Sequence, residues 1–174
     1  MRTKRLTSTA LMAALCCVIA PISIPIGAVP VSLSLLAIYI TATLSGIGQG
    51  AAAVGIYIAL GALGLPVFAG YTGGFERIAG MTGGFIIGYL PCALVIALIT
   101  SGDKIPFWRY PVGMMLGTLV CYICGALWFS VVTQTGFRNA IAVSVLPFVP
   151  LDVIKIAAAS LLCPRIKKAL SSLK

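Results

Sequence analysis

The stretch Gly64-Leu65-Pro66-Val67-Phe68-Ala69-Gly70-Tyr71-Thr72-Gly73-Gly74-Phe75-Glu76-Arg77-Ile78-Ala79-Gly80-Met81-Thr82-Gly83-Gly84 decides how this chain is read. Its glycines include two paired steps, and it lies between segments apolar enough to cross a bilayer. Glycine loses more backbone freedom on folding than any other residue. A chain that places so many between two apolar segments needs tight turns, or backbone laid close against a ligand at a membrane face.

Composition sets the frame around this stretch. The chain has 174 residues, 60% of them hydrophobic and 9% charged, with a mean hydropathy of +1.13. Soluble domains carry about 25% charged residues, so the expectation is an integral membrane protein. The apolar runs are continuous rather than alternating, which favours helices over a β-barrel. With roughly 20 apolar residues per crossing, the length suits one all-α bundle, a single domain over residues 1–174.

Taken in order, the expected spans cover residues 7–26, 30–45, 51–65, 83–100, 112–132 and 145–162. Pro21 and Pro25 loosen the far end of the first, and Ser45-Gly46-Ile47-Gly48-Gln49-Gly50 separates the second from the third. The second and third are short, so tilt, local thinning or a re-entrant shape is open for them. Ala10 and Ala14 on the first span present small residues that would let another helix approach in lipid; ordinary alanine-rich membrane sequence reads the same way. The first span is expected to be retained rather than cleaved.

The net charge of +9 is explained by topology rather than by nucleic acid. Six spans put Arg2, Lys4, Arg5, Lys104, Arg109, Arg165, Lys167, Lys168 and Lys174 on one side and Arg77 and Arg138 on the other. Basic residues mark the cytoplasmic side, so both termini are expected inside and the glycine-rich loop outside. Trp108 and Tyr110 beside Arg109 suit the headgroup layer.

Few residues can carry chemistry. There is no histidine among the 174 residues, and no Ser–His arrangement or phosphate-cradling Gly-Lys-Ser/Thr run. Neither a catalytic residue, a metal ligand nor a cofactor is expected. Cys121 and Cys124 have the spacing of a redox or metal pair but an apolar setting, where cysteine acts as a small hydrophobe. Asp103 lies in an inside turn. Asp152 and Lys155 share a helix face in the last span. An ionisable group at membrane depth costs about 2.5 kcal/mol or more and usually faces the bundle interior. The pair is read either as a mutually neutralising contact or as a ligand contact, and its closeness to the outer-side prolines favours the ligand.

The runs Ala62-Leu63-Gly64-Leu65-Pro66-Val67-Phe68-Ala69-Gly70, Gly73-Gly74, Gly80-Met81-Thr82-Gly83-Gly84 and Pro150-Leu151-Asp152-Val153-Ile154-Lys155 resemble the BioY family across nearly the whole chain. Those proteins are the biotin-binding membrane (S) components of energy-coupling factor vitamin transporters. The resemblance implies a six-helix component of the cell membrane that captures biotin from outside. A transmembrane coupling protein and two ATPase subunits then drive its inward release. It implies that Asp152 and Lys155 line the biotin pocket, that Gly73, Gly74, Thr82, Gly83 and Gly84 belong to the loop covering it, and that Ala10 and Ala14 dock on the coupling protein. Asp152 suits ureido N–H groups; Lys155 suits the ureido oxygen or an anionic tail; Arg77 is a candidate carboxylate partner. Met81 stands where the family commonly has proline. The alternatives are the same architecture serving thiamine or riboflavin, and a structural membrane protein with no ligand.

Overall fold

The computed structural model describes residues 2–25, 29–102 and 105–172. Ile26, Asp103, Lys104 and Lys174, and the side chain of Arg2, lie outside the described residues.

The first helix, α1 (Arg2–Ile19), begins earlier and stops sooner than the 7–26 span expected from hydropathy. Pro21 explains the early stop, because proline disfavours the helical conformation in the residue before it. Beyond it the chain forms a small antiparallel ribbon, β1 (Ser23–Ile24) with β2 (Val31–Ser32), in the register Ser23↔Ser32 and Ile24↔Val31. Apolar content alone gave no sign of this ribbon.

Helix α2 (Ser34–Ala62) runs continuously except at Gly46, whose φ of 74° and ψ of −177° are non-helical. That conformation is open essentially to glycine alone. It falls inside the Ser-Gly-Ile-Gly-Gln-Gly break read from the sequence. The two arms fold back on each other there. A side-chain carbon placed on Gly50 would sit 3.2 Å from the Ala42 Cα, whereas on a continuous helix those positions lie about 12 Å apart along the axis. Ser34 and Tyr57, near opposite ends of the element, line one cavity. Helix α1 runs antiparallel to the first arm, with Cys16 Sγ 3.2 Å from Thr41 Oγ1 and Ser34 Oγ donating to Ala20 O at 3.4 Å.

The glycine-rich connection carries one short helix, α3 (Phe75–Ala79). It leads into α4 (Gly83–Thr100), which matches the expected span residue for residue. Helix α5 (Arg109–Thr133) starts slightly before the expected 112–132 segment. The two pack through small residues, which permit close helix approach. Gly88 faces Cys121 Cα and Cys124 Cβ, and Gly125 faces the Phe85 ring. Both cysteines are free thiols, and this interface gives them a packing role.

The last expected span, 145–162, is corrected at both ends. Helix α6 (Phe137–Ser144) precedes it, and α7 (Val149–Ser172) begins at the Pro147–Pro150 break and runs through Pro164. The two helices meet at a bend of 57°. Pro150 sits in the first turn of α7, where its missing N–H costs nothing. The helix extends past the apolar run into its basic tail, where Lys167 Nζ donates to Thr100 O at 3.2 Å and Gly102 O at 2.9 Å.

The described residues are all-helical apart from the ribbon and loops. Three helices, α2, α4 and α5, are each long and apolar enough to cross a membrane, and a fourth crossing follows if the bent α6–α7 pair is one span. Tyr39, Ile38, Ile96 and Met114 are fully buried at the centre, while Leu98, Leu119, Leu127 and Val131 point outward. Large apolar side chains on the outer surface are what a lipid-facing bundle presents.

Candidate functional site

A cavity of about 690 Å³ of empty space, partly open to solvent, lies beside the β1–β2 ribbon and under the glycine-rich loop. Its walls come from α2, α4, α5 and α7.

The floor is polar and tightly connected. Asp152 and Lys155, on the first turns of α7, are 3% and 9% exposed and form an ion pair of 2.7 Å. The helical spacing read from the sequence is what brings them onto one face. Lys155 Nζ also donates to Ser32 O of β2 at 2.8 Å. Tyr122 of α5 donates its hydroxyl to the other carboxylate oxygen, Asp152 Oδ2, at 2.5 Å. Ser32 and Ser34 hydroxyls are 2.8 Å apart on the same wall. Breaking a buried pair by removing one partner leaves an uncompensated charge, so this floor is stable only as a set.

The flanks are aromatic. Tyr57 packs edge-on against Phe68 with ring centroids 5.8 Å apart, and stacks obliquely on Tyr89 at 6.5 Å. Phe85 and Phe148 face each other at 6.2 Å. Such surfaces suit an apolar ligand body, with the polar floor available to fix its orientation.

The mouth belongs to the glycine-rich loop. Arg77 and Thr82 line the cavity, and Thr82 Oγ1 donates to Arg77 O at 3.2 Å. Arg77 is exposed, so the floor cation and the mouth cation sit in different surroundings. The paired glycines do not line the cavity. A Cβ on Gly73 would meet Leu65 O at 2.1 Å, and one on Gly83 would meet Ile78 O at 1.7 Å. A Cβ on Gly84 would meet Trp128 Cβ at 2.2 Å. Close packing is the trait these three share, whereas Gly74 is distinguished by its φ of 99°. The Gly74 N–H is spent on Gly61 O at 2.7 Å and the Gly83 N–H on Gly80 O at 3.1 Å. The loop is also tethered by Trp128 Nε1 donating to Gly80 O at 3.0 Å and by Gly70 N–H donating to Pro21 O at 2.9 Å. Met81 is 43% exposed and lies outside the lining.

Ala10 and Ala14 are exposed on α1, remote from this cavity, while Ala13 is buried. Sequence reasoning had not reached Tyr122, Ser32, Tyr57 or Tyr89. The available signal was tyrosine in the middle of apolar runs, away from the interfacial belt where it usually sits. Among the described residues no three His, Cys, Asp or Glu side chains group to hold a metal ion. Chemically, the site offers one carboxylate, two cations and several hydroxyls around an aromatic slot. This is a recognition surface without a nucleophile–base pair.

The model of the BioY family matches residues 1–172. A probable biotin transporter BioY of Pyrococcus horikoshii is 39% identical over 167 residues, covering 96% of this chain and 98% of the relative. The biotin transporter BioY of Thermotoga maritima is 36% identical over 165 residues, covering 95% and 96%. Among solved structures, the S component for biotin from an ECF-type ABC transporter superposes with a TM-score of 0.84 at 28% identity, covering 96% of this chain and 92% of that one.

Proposed function

The chain belongs to the BioY family, and from that premise we propose that it is the biotin-binding S component of an energy-coupling factor transporter. It is a multi-pass protein of the cell membrane that binds and delivers its ligand without transforming it. The observation that supports this reading is the buried Asp152–Lys155 pair on the floor of a cavity with Arg77 at its mouth.

Biotin pairs a compact ureido head with an aliphatic tail ending in a carboxylate. The floor suits the head. Asp152 accepts from ureido N–H groups, and Lys155, with two of its three donors on Asp152 and Ser32, offers the third to the ureido oxygen. The aromatic flanks suit the ring body. Arg77, with Thr82 beside it, suits the carboxylate at the mouth. The glycine pairs shape the cover.

The topology proposed here has six crossings: α1, the two arms of α2, α4, α5 and α7. Both termini are cytoplasmic and residues 1–174 form one domain. The arms of α2, residues 34–45 and 47–62, are short against a hydrocarbon core of about 30 Å and are accommodated by local thinning. Reporter fusions at Phe75 and Thr135 should both read outside; cytoplasmic signals from both overturn the topology. The partners are a transmembrane coupling protein and two ATPase subunits, with Ala10 and Ala14 as the docking face. Ala10→Trp should leave biotin binding intact and abolish uptake in the assembled transporter, and persisting uptake would reassign that face.

The test of function is equilibrium binding of labelled biotin to the purified chain in detergent. Saturable binding that is lost in Asp152→Ala, and that thiamine and riboflavin fail to compete, is the expected result. A wild-type chain that ignores micromolar biotin overturns the proposal.

A further inference from the structure

Asp152 has two carboxylate oxygens, and each is taken by a different helix. Lys155 of α7 holds Oδ1 at 2.7 Å, and the Tyr122 hydroxyl of α5 holds Oδ2 at 2.5 Å. A carboxylate tied at one oxygen turns freely about its terminal torsion; tied at both, its plane is fixed and its remaining lone pairs keep one direction. Tyr122 and Asp152 also line two spaces at once. One is the central cavity, and the other is a shallow groove between α5 and α7 walled by Met115, Leu119 and Val153. Those three side chains are 59%, 54% and 59% exposed on the outer apolar surface. The Tyr122–Asp152 hydrogen bond is therefore the partition between the polar cavity and the side of the bundle that faces lipid.

We propose that Tyr122 is a positioning residue of the ligand site, holding the Asp152 carboxylate toward the cavity and closing the α5–α7 wall behind it. The inference rests on the biotin reading above. Asp152 is the group that would touch ligand, and Tyr122 acts through it.

Tyr122→Phe keeps the ring and removes only the hydroxyl. Hydrogen bonds to charged groups are the stronger ones, so biotin affinity should fall about 10-fold or more. A second readout does not depend on ligand. In the ligand-free protein, the infrared difference between wild type and Tyr122→Phe should carry a carboxylate stretching band, and that band should vanish when both proteins also carry Asp152→Asn. Wild-type affinity in Tyr122→Phe overturns the positioning role while leaving the biotin reading intact. A difference spectrum without the Asp152-dependent band overturns the contact itself. A wild-type chain that does not bind biotin removes both proposals, which separates that failure from the other two.

Discussion

On the cavity floor, Asp152 and Lys155 are 3% and 9% exposed and their polar atoms are engaged by groups from α5, α7 and the ribbon. At the mouth, Tyr71 and Phe75 are 67% and 72% exposed, and the loop holds its shape through backbone contacts at Gly73 and Gly83. The floor is specified by side-chain chemistry, the mouth by the absence of side chains. Buried charges are tolerated only when fully paired, so the floor has one arrangement. Beyond Val67 and Phe68, which are buried in the core, residues 69–82 carry no fully buried side chain, and segments of that kind open most readily. On the proposed reading, recognition and access belong to different parts of the molecule.

Removing one floor partner is the strongest way to break this division. Lys155→Ala leaves Asp152 buried and unpaired, which should cost about 3–5 kcal/mol. It should show as a large drop in thermal unfolding temperature even without ligand; an unchanged melting curve would mean that the floor is not held by the pair. The mouth is tested through its glycines. Gly83→Ala drives a Cβ toward Ile78 O, 1.7 Å from its ideal position, and overpacking of this sort costs about 1–3 kcal/mol. Local proteolysis between residues 64 and 82 should accelerate while the helices remain protected. Uniform destabilisation across the bundle would show that loop and floor form one unit. The smallest effect is expected for Arg77→Ala. Loss of a charge-assisted bond of about 1.5 kcal/mol corresponds to roughly tenfold weaker biotin binding, without change in unfolding temperature. Biotin methyl ester should bind wild type and variant alike, and an equal loss for ester and acid would remove Arg77 from the carboxylate role.

Several of these elements were legible in the sequence because their cause is local. Gly83–Thr100 is bounded by glycines before it and Ser101-Gly102 after it, and its apolar run ends where the helix ends. Gly46 sits in a Ser/Gly cluster that marks a break without reference to anything distant. Asp152 and Lys155 are rare ionisable residues at helical spacing, so their shared face followed from period alone. The boundaries that were missed depend on other parts of the chain. Helix α7 continues to Ser172 because its basic tail caps the turn around Thr100 and Gly102, while hydropathy sees only an apolar run ending. The β1–β2 ribbon is two residues per strand, too short for any period to register. Tyr122 carries no spacing signature at all; its role depends on the partner that α7 brings to it. The loop glycines are expected to lay backbone against a ligand, yet two of their N–H groups are occupied within the fold.

The bond from Lys155 Nζ to Ser32 O spans 123 residues of chain. Its consequence lies in biosynthesis. Contacts of such long sequence separation form late, and here the late partner stands on the final helix. A nascent chain arrested before α7 has the aromatic slot, the loop and Arg77, yet neither charge of the floor. On the proposed reading of the floor, ligand recognition therefore waits until α7 is inserted.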